Sequence, residues 1–292
     1  MSVNMQEAAR LKEFIRGASR LPVLPKVTIR LLNSLDSPGV SAKEIAEIVE
    51  AEPTLTARLL KLANSSFYGQ RGRISHIRDA VTVLGSKTMR SFALAVWTHT
   101  LQTQARNADE LRLLAPLLAH GLAAAVAARM LADRVDPGRG EDSFMAGLLH
   151  DIGRVALVAQ MGREYQAAIV EPARRDGVSL HEREAQVLGF DHRVLGSALM
   201  ASWELPPFLL NVVEKHHDSE IVPEQDFYVA AVALADGLST RMGFNIALDA
   251  PRPVPPGLAA GFGLADDGAV AEFLELCLAR FRILSAVLVA RA

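Results

Sequence analysis

Histidines and aspartates are the residues with most chemical potential in this chain. Five of its eight histidines, His120, His150, His192, His216 and His217, sit where they could converge, and Asp151 directly follows His150. Neutral imidazoles combined with ionised carboxylates suit divalent ions such as Fe, Mn or Zn. A single His-Asp pair has a plainer reading, because an acidic residue favours the positive N-terminus of a following helix. Asp236 interrupts the apolar run from Val229 to Leu238, where a carboxylate requires a metal, an arginine or a backbone donor. His120 lies among leucines and alanines, either as a ligand or as a neutral, hydrogen-bonded core histidine. His192 follows Gly189-Phe190-Asp191 and is equally readable as a helix-start residue. Adjacent helical residues point about 100° apart. His216 and His217 are therefore expected to serve two ions, or one ion and a phosphate, rather than grip one ion together. His76, His99 and His181 lack such company and are read as surface or capping residues.

Other chemistries lack their motifs. There is no phosphate loop of the Gly-Lys-Ser/Thr kind, no Gly-x-Ser-x-Gly elbow, no dinucleotide fingerprint and no paired-cysteine zinc motif. Cys277 stands alone, so no disulfide framework argues for an oxidising compartment.

The elements that must position these residues are helices, because apolar residues recur at spacings of three and four. Ser41 and Glu44 form a capping box ahead of Ile45, Ile48 and Val49; Pro53 restarts the chain into a second amphipathic helix through Leu55, Leu59 and Leu62. A loop over Tyr68-Gly69 and Arg71-Gly72 follows, and residues 77–104 read as helix broken near Gly85. The polar patch from Gln102 to Glu110 marks a boundary before a long Ala-rich helix, Leu111 to Leu131. Further helices are expected around 142–150, 152–173, 180–188, 191–202, 206–217 and 226–241. Pro251, Pro253, Pro255 and Pro256 with Gly257 suggest a stiff linker, and a terminal helix spans about 268–290. Its apolar stripe either packs back, the preferred reading, or mediates a homodimer. The expectation is an all-α chain divided into 1–108, 109–245 and 246–292.

Half of the composition is hydrophobic, enough for a sizeable core. With 31 Lys plus Arg against 33 Asp plus Glu, the net charge of −2 gives no electrostatic footprint for nucleic acid or anionic membrane. Arg71, Arg73, Arg78, Lys87 and Arg90 are a scatter without a basic stripe. No charged-then-apolar leader is visible, and His120 and Arg129 interrupt the apolar stretch Ala115 to Ala132, so a cytoplasmic setting without a membrane segment is expected.

Several motifs resemble the HDOD family, the HD-related output domain of bacterial signalling proteins. In the first half they are Leu21-Pro22-Val23-Leu24-Pro25, Glu52-Pro53 with Leu55, Ala63 to Gly69, and Ile74 to Gly85. In the second they are Ala146-Gly147-Leu148-Leu149-His150-Asp151-Ile152-Gly153, Asp191-His192 with Gly196, Trp203-Glu204-Leu205-Pro206, and His216-His217. They run in family order from about residue 20 to 240. The resemblance implies an N-terminal helical bundle packed on a helical core like that of HD-domain phosphohydrolases, and signalling rather than metabolism. It also implies a ligand set of His120, His150, Asp151 and Asp236, with His192, His216 and His217 matching extra histidines of the related HD-GYP phosphodiesterases. Arg154 stands where those enzymes have lysine, Pro116 occupies the region where an additional acidic ligand would be expected, and no Gly-Tyr-Pro follows His217.

Three functions follow as expectations. The first is a regulatory module docking signalling proteins around a bound or vestigial metal site. The second is a metal-dependent phosphohydrolase or phosphodiesterase acting on a nucleotide or cyclic dinucleotide, with Asp151 and Arg154 as catalytic candidates and Arg154 and His217 holding phosphate. Binding of a nucleotide second messenger without cleavage is a third.

Overall fold

The computed structural model describes residues 5–36, 39–65, 74–218, 220–244 and 256–289; the expected loop over Tyr68 to Gly72 and the prolines 251, 253 and 255 lie outside them. The described residues are helical, with no strand among them, as the periodicity requires. Two compact units emerge, each assembled from separated stretches of chain: residues 23–100 with 275–292, and residues 1–22 with 101–274.

The first of these contains α2 (Lys26–Asp36), α3 (Ala42–Glu50), α4 (Pro53–Ala63) and most of α5 (Ile77–Leu101). Ser41 and Glu44 form the expected capping box, and α3 buries Ile45, Ala46, Ile48 and Val49. Pro53 sits in the first turn of α4, where its missing N–H costs nothing, and Leu55, Leu59 and Leu62 are buried. The break in α5 falls at Gly85, whose φ of 75° suits a residue without a side chain. Trp97 donates its indole N–H to the carbonyl of Val23 at 3.1 Å.

The second unit begins with α1 (Met5–Gly17) and is built around α6 (Ala108–Val135), capped by Asn107, which accepts the Glu110 N–H at 2.9 Å. α6 is long and apolar enough to cross a membrane by composition, yet 61% of that stretch is buried within the structure. Its small residues Ala123, Ala124, Ala125, Ala127 and Ala128 are fully buried and admit α7 (Gly140–Leu149) at close range. A Cβ on Gly147 would lie 2.8 Å from the Ala124 carbonyl oxygen, so only glycine fits this crossing. α8 (Ile152–Met161) packs on α12 (His192–Ser202) through Gly153, where a Cβ would lie 1.9 Å from the His192 carbonyl oxygen.

The expected helix over 152–173 is not continuous. Gly162, at φ 56°, ends α8; a short turn, α9 (Arg163–Tyr165), then runs through one π-helical turn at Gln166–Val170 into α10 (Glu171–Asp176). Ser179 and Glu182 form a second capping box ahead of α11 (Leu180–Leu188). α13 (Pro207–Lys215) and α14 (Phe227–Arg241) follow the expected pattern. Pro256 and Gly257, expected in the linker, instead open a short helix, α15 (Pro256–Gly261), because proline is at home in a first helical turn. The terminal helix α16 spans Asp267–Val289, with Phe273, Cys277, Leu284, Val287 and Leu288 buried.

Candidate metal centre

The second unit brings the sequence-expected residues into one buried cluster. His120 comes from the middle of α6 and Asp236 from α14. His150 and Asp151 occupy the junction between α7 and α8, and His192 is the first residue of α12. His216 and His217 follow the end of α13. Ligand atoms of His120, His150 and Asp151 lie within 4.8 Å of one another, and so do those of Asp151, His192, His216 and His217. Asp151 belongs to both groups.

Hydrogen bonds behind the rings fix their tautomers. His150 Nδ1 donates to the Gly147 carbonyl at 2.7 Å, and His216 Nδ1 to the Val213 carbonyl at 2.9 Å. His192 Nδ1 donates to Glu184 Oε2 at 2.7 Å. The Ser239 hydroxyl gives its own proton to the Asp236 carbonyl at 2.8 Å, so it accepts from His120 Nδ1, which also donates to the Phe244 carbonyl at 2.8 Å. Each ring therefore turns Nε2 inward. The Nε2 atoms of His150, His192 and His216 and Oδ1 of Asp151 are buried without a hydrogen-bond partner, and Nε2 of His120 faces the Asp236 carboxylate.

The inward distances bring lone pairs together. His192 Nε2 stands 3.3 Å and His216 Nε2 3.7 Å from Asp151 Oδ1, and His150 Nε2 stands 3.6 Å from Asp151 Oδ2. His120 Nε2 lies 3.1 Å from Asp236 Oδ1, a separation that is favourable only for a doubly protonated ring or for two ligands of one cation. Metal-ligating histidines characteristically donate their other N–H to a carbonyl or carboxylate. The donor set of imidazole nitrogens and carboxylate oxygens fits Fe, Mn or Zn.

Charge and burial set the protonation states. Burial presses His150 down to about 4, against the pull of Asp151, so its Nε2 keeps a lone pair near neutrality. Burial also opposes charge on His120, but the hydrogen bond and negative charge of Asp236 outweigh it and raise its pKa above 6.5. Asp151 and Asp236 are buried, which favours protonation, yet Arg154 and His150 hold Asp151 well below the usual carboxylate range, and His120 does the same for Asp236.

The structure refines one expectation and departs from two. Asp151 stands at the N-terminus of α8, as the plainer reading has it, but its side chain makes no cap bond and is held by Arg154 Nη1 at 2.8 Å within the histidine cluster. His216 and His217 do share one group at the C-terminal end of α13, their ring centroids 4.0 Å apart. Arg154 is buried between Asp151 and Glu184, its Nε 3.4 Å from Glu184 Oε1, so the fork expected to grip phosphate already holds carboxylates.

Sequence reasoning missed Glu184, Tyr165 and His181. Glu184 is fully buried and also accepts the Tyr165 hydroxyl at 2.6 Å; burial favours its protonation, but His192 and Arg154 hold it down to about 2. His181 stacks on His217 with centroids 5.0 Å apart. No periodic signal separates Glu184 from its solvent-facing neighbour Glu182.

With this geometry in view, the relatives are informative. A structure of an HDOD domain protein of unknown function from Geobacter sulfurreducens is 29% identical, with a TM-score of 0.77 and 97% of both chains covered. A Shewanella amazonensis protein, provisionally described as a phosphohydrolase, is 24% identical with a TM-score of 0.70, covering 96% of this chain and 98% of that one; it shares the fold. An uncharacterised Treponema pallidum protein is 24% identical over 205 residues, 70% of this chain but 39% of that protein's length. The HDOD domain model matches residues 21–219, and the chain belongs to the HDOD domain family.

Proposed function

We propose that this chain is a cytoplasmic regulatory module of bacterial signal transduction, whose HD-like core holds one or two divalent ions as an internal clamp. Its helical surfaces dock a signalling protein. The observation that carries the metal reading is the convergence of three buried Nε2 lone pairs, those of His150, His192 and His216, on the Asp151 carboxylate, with His120 Nε2 facing Asp236 beside them and each ring's Nδ1–H anchored behind it. His120, His150, Asp151 and Asp236 would hold one ion; Asp151, His192, His216 and His217 would hold the other. The named ligands other than His217 are buried, and Arg154 is engaged, which favours a clamp, since structural sites are closed and catalytic ones keep an open position. Elemental analysis of protein purified without added metal is expected to find Fe, Mn or Zn, and Asp151→Ala is expected to lose it. A wild-type protein that neither carries nor takes up these ions would end this reading.

Hydrolysis is a second reading, favoured by the sharing of Asp151 between two ligand groups and by the partial exposure of His217 at the edge of the cluster. A bound ion would supply an acidified water and polarise a phosphoryl oxygen. Metal-loaded protein is expected to turn over a generic phosphodiester or a cyclic dinucleotide no faster than Asp151→Ala. Clear excess turnover by the wild type would replace the clamp with catalysis, and saturable nucleotide binding without product would mark a sensor.

A further inference from the structure

Glu184 is an anomaly of α11. Among the residues of this helix only Leu180 and Glu184 are buried, so the helix presents a carboxylate to the interior where its pattern calls for a second apolar residue. Both oxygens are used. Oε2 accepts the His192 backbone N–H at 2.9 Å and the His192 Nδ1–H at 2.7 Å, gripping the residue by main chain and ring together. Oε1 accepts the Tyr165 hydroxyl at 2.6 Å, and Arg154 Nε approaches it at 3.4 Å. The same guanidinium donates through Nη1 to Asp151 Oδ2 at 2.8 Å, leaving Asp151 Oδ1 to face His192 Nε2 at 3.3 Å.

A carboxylate can only accept, and its 2.7 Å contact with Nδ1 outweighs the Arg154 Nη2 donor 3.4 Å from the same nitrogen, so the ring proton sits on Nδ1 and Nε2 is left as a lone pair. The grip on the His192 backbone fixes the first residue of α12, and the bond to the ring fixes its rotation. Tyr165 and Arg154 in turn hold the carboxylate. By contrast, the Nδ1 atoms of His120, His150 and His216 rest on carbonyl groups, joined at His120 by the Ser239 hydroxyl. Among the four inward-turned rings, His192 alone has its Nδ1 held by an ionisable side chain.

We propose that Glu184 is a positioning residue, setting the His192 tautomer and aim so that Asp151, His192, His216 and His217 form a second ligand group whose competence depends on it. This rests on the metal reading given above. The group containing His120, His150, Asp151 and Asp236 does not share that dependence. The Tyr165-Glu184-Arg154 network is accordingly a support for one ion position, and Arg154 serves it from within.

The test reads the tautomer directly. Long-range proton–nitrogen NMR correlations on metal-free, histidine-labelled protein are expected to show His192 protonated at Nδ1. In Glu184→Leu, which leaves Nδ1 no acceptor and only the Arg154 Nη2 donor at 3.4 Å, the proton is expected to move to Nε2. Cobalt titration followed by visible absorption is expected to show two ions per wild-type chain. In Glu184→Leu one of them should weaken by roughly ten-fold or more while the other is retained. An Nε2-protonated His192 in the wild type overturns the proposal even if the variant does not fold. So does an unchanged tautomer in Glu184→Leu, and so does unchanged affinity for both ions. Failure of the underlying metal reading would show separately, as absence of cobalt binding by the wild type.

Discussion

Arg154 sits between two buried carboxylates, and at the scale of single residues it is the most consequential charge in the core. Removing one member of a buried ionic set leaves the others uncompensated, which costs about 3–5 kcal/mol. Arg154→Met is expected to lose that much in urea unfolding, and Arg154→Lys a smaller part, because an ammonium keeps the charge but cannot span Asp151 and Glu184 with a planar fork. Stability should also depend on pH through two histidines of opposite sign. His150 has a folded pKa of about 4 against an ordinary 6.5, so its contribution is present above 6.5 and is lost as pH falls towards 4. His120 has a raised pKa, so its contribution is present below 6.5 and is lost as pH rises through the raised value. Metal-free protein is expected to lose melting temperature on both sides of this region. With metal on Nε2, His120 has no proton to lose and the alkaline limb should flatten. Identical profiles with and without bound metal would contradict the assignment of His120 as a ligand.

At the scale of elements, glycine decides how closely ligand-bearing helices approach. Gly153 lies two residues after Asp151 and touches the backbone of His192, so α8 and α12 meet where their ligands must meet. In Gly153→Ala the new Cβ would fall 1.9 Å from the His192 carbonyl oxygen and 2.7 Å from the Gly196 nitrogen, both backbone atoms that move only with their helix. The expected cost is about 1–3 kcal/mol or more from overpacking, together with loss of bound metal. Gly177→Ala is the contrasting variant: nothing lies within 4 Å of its Cβ position, and only the φ of 68° is strained, so about 1 kcal/mol and full metal content are expected. Equal metal loss in both would show that helix approach is not what Gly153 provides. Helices with caps and periodic faces, such as α3, α4 and α12, were legible from sequence because their signals are local. His120 and Asp236 were legible because each interrupts an apolar run, whereas His150 and Asp151 stood out as an adjacent pair and through the family resemblance. Glu184 was not, since the stretch Leu180-His181-Glu182-Arg183-Glu184 looks like any solvated helix, and only the packing of α11 shows which glutamate turns inward. The end of α8 at Gly162 was missed for the complementary reason: a glycine inside a periodic run is tolerated as often as it terminates one.

At the scale of the whole molecule, chain order conceals the organisation. α1 belongs with residues 101–274, where Phe14 meets Phe190 edge-on at 5.3 Å and Arg20 pairs with the buried Glu110 at 2.8 Å. Neither partnership has a sequence signal, because both join residues about ninety or more positions apart. The candidate ligands span His120 to Asp236, come from five places along this same unit, and none derives from residues 23–100. An ion bound by them should therefore act as a cross-link of one unit rather than as a general stabiliser. Binding to the folded state alone contributes about 2.7 kcal/mol when free metal is a hundred times its dissociation constant. In a unit of this size that corresponds to a rise of roughly 5–10 °C in melting temperature. Calorimetry of metal-loaded against chelated protein is expected to show this rise, and Asp151→Ala to show none. Hydrogen exchange supplies the spatial half of the argument: protection gained on metal binding should concentrate in α6, α7, α8, α12 and α14, and leave α2, α3 and α4 unchanged. A melting rise of the same size in Asp151→Ala, or protection spread evenly over both units, would mean that metal stabilises the protein elsewhere.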